Sequence, residues 1–179
     1  MSIPGYADIQ INGYRNVDFS DPALTEADFL RTAERIFESG TYLFLPTVIT
    51  SSEEVYLRNI RLMHDAVEKE GLQKQIPGIH AEGPFLSDQP GAVGCHNPAW
   101  VRKPSCAFLD KIMERTGGFI KLMTVAAENE GAEELIRHAV SLGIAVGCGH
   151  QLADYEQLQK AQKAGARTLT HLGNGIPNM

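Results

Sequence analysis

One pattern recurs along the chain and constrains its fold more than any other feature. A short apolar run leads into a polar or glycine-rich segment, then an amphipathic helical stretch, then glycine, then the next apolar run. The runs fall at residues 7–11, 42–46, 76–81, 119–125, 145–148 and 168–171. Each is short, apolar on balance and bounded by turn signals, as a buried parallel strand is.

Helix signals lie between the runs. Thr25 with Asp28 reads as a capping box, followed by the stripe Leu30, Ala33, Ile36, Phe37 and a stop at Gly40. Ser52 opens a second helix towards Gly71, with Val55, Leu62 and Ala66 on one side. Ser105 opens a third before Gly117, residues 131–142 form a fourth, and residues 154–164 a fifth ended by Gly165. Strands alternating with helices indicate an α/β domain built on a parallel sheet. A doubly wound open sheet is the competing arrangement. Its dinucleotide-binding version wants GxGxxG after the first strand, whereas Asn12, Gly13 and Tyr14 follow here. The longest non-helical insertion, residues 83–103, follows the third run, and a loop of that length in a compact domain usually carries binding or catalysis.

Composition narrows the function. Apolar residues make up 43% and charged residues 21% of 179 positions, ordinary for a soluble domain. A net charge of -6 repels phosphate backbones and argues against nucleic-acid binding. The start lacks the basic and apolar regions of a signal peptide, and no apolar run approaches the roughly 18 residues a membrane helix needs. Cys95, Cys106 and Cys148 show no CxxC pairing and read as free thiols in a reducing cytoplasm.

Polar residues collect at the C-terminal ends of the runs: Gln10 and Asn12 at the first, His80 and Glu82 at the third, His150 at the fifth, His171 and Asn174 at the sixth. In a parallel barrel these ends meet on one face, where active sites sit. Glu82, His150 and His171 then offer one carboxylate and two imidazoles to a divalent cation, leaving positions open as catalytic zinc sites do. A lone histidine in an apolar strand is more often a packed core residue, but a carboxylate in such a strand needs a partner. His64 and His138 fall on charged helical segments and read as solvent-facing, and Cys148 as a core residue.

The segments PGYADIQINGY, LPTVITSS, GIHAEGPFLS, PGAVGCHNP, TVAAE, GHQLADY and THLGNG occur in an order that resembles the N-acetylglucosamine-6-phosphate deacetylase family of metal-dependent amidohydrolases. The resemblance spans nearly the whole chain, and HxEGPF followed by GxxGCHNP is its most specific part. It implies a TIM-like (β/α)8 amidohydrolase barrel, here C-terminally truncated to about six βα strands and forming a single domain over residues 1–179, with no separate N-terminal β-domain. It implies that Glu82, His150 and His171 bind the metal, and that His96, Asn174 and the backbone amide of Gly175 contact substrate. Other amidohydrolases place HxH where Gln10 and Asn12 stand. Neutral amides are poor zinc ligands, so one divalent ion is expected, Zn2+ ahead of Fe2+, with Gln10 and Asn12 facing the barrel mouth.

The implied reaction is deacetylation of N-acetylglucosamine 6-phosphate, a small amino-sugar phosphate, with no nucleic-acid or membrane partner and a homodimer left open. The family's catalytic aspartate lies at the end of an eighth strand, and neither Asp8 nor Asp154 matches it by position. The catalytic acid–base residue is therefore unassigned, and weak turnover is expected of these residues alone. An amidohydrolase for another amide, or a non-catalytic metal-binding fragment, are the alternatives.

Overall fold

The computed structural model describes residues 5–176. A six-stranded parallel sheet runs β1 (Tyr6–Ile11), β4 (Thr41–Ile49), β5 (Ile79–Glu82), β6 (Ile120–Val125), β7 (Ala145–Cys148), β8 (Thr168–Leu169). Between β1 and β4 lie a small antiparallel pair, β2 (Gly13–Tyr14) and β3 (Val17–Asp18), and the helix α1 (Glu26–Glu38). The remaining helices are α2 (Glu53–Glu70), α3 (Cys106–Arg115), α4 (Ala132–Ser141) and α5 (Tyr155–Ala164), with one 3-10 turn at Pro98–Trp100.

Strand order follows chain order, so the sheet has no switch point and the doubly wound alternative is excluded. Crossovers of one hand between successive neighbours put every helix on the same face. The helices accordingly contact one another in sequence, α1 with α2, α2 with α3, α3 with α4, α4 with α5. A sheet covered on one face only curls, and the result is a parallel half-barrel with β1 and β8 at its open edges.

The core fills the space between sheet and helices with Phe29, Ile36, Phe44, Val48, Ile60, Met63, Ile79, Ile120, Leu135 and Val146, all buried. Three helices begin where serine or threonine promised. Thr25, Ser52 and Ser105 each accept a hydrogen bond from the backbone N–H three residues on. Thr25 forms only half a box, because the Asp28 carboxylate takes the Thr25 hydroxyl and Arg31 instead of the cap N–H. The full capping box belongs to Asp154 and Gln157 at α5.

Several expectations need correction. The buried face of α2 is Tyr56, Asn59, Ile60, Met63, Ala66 and Val67, so the stripe read from Val55 and Leu62 is one residue out of phase. His64 and His138 are half-buried rather than solvent-facing: His64 packs edge-on against Phe119 at 5.1 Å, and His138 reaches Asp110 at 2.6 Å. The third strand starts later than expected, at Ile79. The β2–β3 pair was not foreseen; Arg15 and Asn16 at φ 48° and 66° make its two-residue turn.

Candidate metal centre

Three strand ends converge as the sequence suggested. Glu82 closes β5, His150 follows β7, and His171 follows β8. His171 Nε2 lies 2.9 Å from Glu82 Oε1 and 2.9 Å from His150 Nε2, and His150 Nε2 is 3.2 Å from Glu82 Oε1. Both histidines sit in the left-handed region, at φ 50° and 29°. A side chain there is strained, and such strain collects at functional sites.

The residues 83–103 segment folds over this point. Its Ala92 carbonyl accepts from His150 Nδ1 at 2.8 Å, so Nδ1 carries a hydrogen and Nε2 is the nitrogen turned towards Glu82 and His171; Nε2 donates to Glu82 when the ring is protonated and offers its lone pair when a cation is present. His96, from the same segment, is buried with Nε2 3.1 Å from His150 Nε2 and 4.0 Å from Glu82 Oε1. The Thr50 N–H donates to His96 Nδ1 at 3.4 Å, which leaves Nε2 as the protonated nitrogen facing the cluster.

The electrostatics demand a positive charge at the centre. Burial pushes the Glu82 carboxyl up, yet hydrogen bonds from His150 and His171 and the proximity of His96 outweigh it and hold Glu82 at about 2. Burial and the neighbouring His150 lower His96 to about 4. Burial also works against charge on His150, but Glu82 and the Ala92 carbonyl leave its pKa raised. Two imidazole nitrogens 2.9 Å apart beside a carboxylate need a shared proton or a cation between them.

The donor set fits a cation. Ligand atoms held at about 2.0–2.1 Å on tetrahedral vertices stand roughly 3.3 Å apart. The 2.9–3.2 Å separations here lie just inside that value. Among the described residues Glu82, His150 and His171 are the one group of three whose ligand atoms all come within 4.8 Å of one another. No second carboxylate among the described residues contacts the cluster.

Other candidates are placed differently. Gln10 and Asn12 do not reach the cluster. With Asp8, Ile36, Ser39 and Thr41 they line a separate depression at the β1 edge. The pairing of β1 with β4 slips by one residue between Asp8 and Ile11, which puts Gln10 at an irregular point of the strand. Asn174 is exposed, and its backbone N–H closes a turn onto the His171 carbonyl at 2.9 Å. Gly175 lies against the His150 ring, and its carbonyl accepts from the Gln151 N–H at 3.1 Å. Sequence reasoning missed the packing role of Gly94 and Gly175. A Cβ on either would come within 2.9 Å of that ring.

A parallel α/β half-barrel with a candidate metal centre at its strand ends defines the class. No family model matches the chain. It is 36% identical over 177 residues to the N-acetylglucosamine-6-phosphate deacetylase of Bacillus subtilis, covering 97% of this chain and 44% of that protein. The fold superimposes at a TM-score of 0.87 on the N-acetyl-D-glucosamine-6-phosphate deacetylase of Mycobacterium smegmatis, a variant of which was solved with N-acetyl-D-glucosamine-6-phosphate, at 29% identity over 97% of this chain and 43% of that one. The Pasteurella multocida enzyme gives 0.84 at 32% identity, over 96% and 44%. The chain is a relative of the N-acetylglucosamine-6-phosphate deacetylase family, and it spans less than half the length of these relatives.

Proposed function

We propose that this chain carries the metal-binding portion of an amide-hydrolysing site that deacetylates N-acetylglucosamine 6-phosphate. The observation that carries the reading is the convergence of Glu82, His150 and His171 at three strand ends. They would hold one divalent ion, Zn2+ ahead of Fe2+, since two imidazoles and a carboxylate suit zinc and leave positions free. Such an ion supplies Lewis acidity to an amide carbonyl.

The chain's own residues bind and orient. His150 is held by Ala92, so its lone pair has one direction. Once that lone pair is engaged, His96 Nε2–H loses its present acceptor and is free to hold the acetamido oxygen. Asn174 and the Gly175 amide, next to His171, are proposed to contact the sugar. The residues 83–103 segment covers one side of the site through Ala92 and His96. Proton transfer needs a further group. Glu82 is committed to the cluster, so we assign that role to no residue in 5–176. Three free cysteines support a reducing, cytoplasmic setting, and a homodimer remains part of the proposal.

The test has two readouts. The purified chain is expected to bind about one zinc ion per molecule by elemental analysis, and His150→Ala to lose it; a variant that retained zinc like the parent would defeat the ligand assignment. In an acetate-release assay with N-acetylglucosamine 6-phosphate, the chain is expected to turn over far more slowly than a version extended to eight strands. General acid–base transfer is worth about 10²–10⁴-fold. Equal rates would place the proton carrier inside these residues.

A further inference from the structure

Beneath the cluster the half-barrel interior holds a second layer of polar side chains. His80 stands two residues before Glu82 on β5, so both face the interior, and it is 1% exposed. His80 Nε2 is 2.7 Å from Thr124 Oγ1 on β6, and that oxygen is 2.7 Å from Thr170 Oγ1, just after β8. All three residues are buried. His80 Nδ1 is buried without a hydrogen-bond partner among the described residues. The row runs from β5 through β6 to the residue that follows the edge strand β8. With a hydrogen on Nδ1, Thr124 donates to His80 and Thr170 donates to Thr124, each hydroxyl giving its hydrogen once.

This layer answers a question the cluster leaves open. A metal-binding imidazole is normally held through its other nitrogen. His150 is held in that way by Ala92, but His171 Nδ1 is buried and has no partner among the described residues. The ring of His171 can then be fixed only through its own strained backbone. Thr170 anchors that backbone. Its N–H donates to the Cys148 carbonyl at 2.9 Å and its hydroxyl hydrogen-bonds with that of Thr124 at 2.7 Å. Gly149 makes the approach feasible, because a Cβ there would stand 2.8 Å from Thr170 Cβ.

We propose that the His80–Thr124–Thr170 chain is a positioning device for the metal centre. It sets Glu82 from one end and His171 from the other, and Thr170 takes the place of the contact His171 lacks. The inference rests on the metal reading above. A merely structural role, in which the three groups satisfy one another in an apolar interior, predicts a loss of stability and no specific loss of metal.

The test measures zinc affinity of the full chain by competition with a chromophoric chelator, the Co2+ absorption spectrum, and the melting midpoint in excess chelator. Thr170→Val and Thr124→Val each remove a hydroxyl at nearly constant shape. Each is expected to weaken zinc by about tenfold or more and to shift the Co2+ bands. Thr170→Ser, which keeps the hydroxyl, is expected to restore most of the affinity. The double variant is expected to lose no more than the worse single one, because both break the same chain. Should Thr170→Val fail to fold, Thr124→Val reads the chain from its middle. Parental affinity and spectrum in the valine variants, or losses that multiply in the double variant, would overturn the positioning role alone. A parent that bound neither ion would overturn the metal reading and this inference together.

Discussion

A Cβ built on Gly175 would stand 2.8 Å from His150 Nδ1, and one on Gly94 would stand 2.9 Å from His150 Cε1. The imidazole is thus sandwiched between two backbones from different loops, and its single orientation depends on both lacking side chains. Gly175 also sits at φ 64°, where an L residue is strained. Gly175→Ala is expected to displace His150 and cut zinc affinity by about tenfold, the scale of lost support around a ligand. Gly143→Ala is the control. It has φ 78° and nothing within 4 Å of a new Cβ, so it should cost only the strain of about 1–2 kcal/mol and leave affinity alone. Equal zinc affinity in the parent and Gly175→Ala would show that the ring can move aside without consequence.

The helices show which parts of the fold were legible. Their starts were, because a hydroxyl that caps a helix is a local feature, and Thr25, Ser52 and Ser105 all do so. The phase of α2 was not. Leu57 and Leu62 pack on the margin of the core, while the buried face contains a polar residue, Asn59 at 0% exposure. Its amide donates to the Phe19 and Asp21 carbonyls at 3.0 and 2.8 Å, tying α2 to the loop after β3. Asn59→Leu leaves the Phe19 carbonyl unpaired, while the Asp21 carbonyl keeps the Leu24 N–H at 3.0 Å, and is expected to cost about 1–3 kcal/mol, read as a lower melting midpoint with zinc affinity unchanged. A midpoint like the parent's would mean that water replaces the amide. The three candidate ligands were legible for the opposite reason: each is a polar residue ending an apolar run. Thr124 and Thr170 were not, because threonine suits any strand and says nothing about which face it occupies.

At the scale of the molecule, the two sheet edges set the behaviour. Among the described residues β1 has a strand partner on one side only, and Tyr6 and Ile9 on it are 77% and 50% exposed. β8 is likewise paired only with β7, and Leu169, Leu172 and Tyr155 beside it are 49%, 78% and 73% exposed. A groove of about 530 Å³ runs there between α5 and β8, lined by Leu158, Leu169 and Leu172. In parallel sheets both faces are normally covered and unpaired edges recruit further strands. An edge this apolar, with its backbone N–H and C=O groups free, favours pairing with another chain. Residues 1–179 alone are therefore expected to self-associate as concentration rises, seen as a growing sedimentation coefficient. Leu169→Lys with Leu172→Lys places charge along the β8 edge and should return the protein towards monomer, the way natural edge strands are protected. The version extended to eight strands, which pairs the edge within one chain, should sediment as a concentration-independent species without the lysines. A parent that stayed monomeric across the same range would show that the exposed side chains shield the edges already, and the lysine variant would then change nothing.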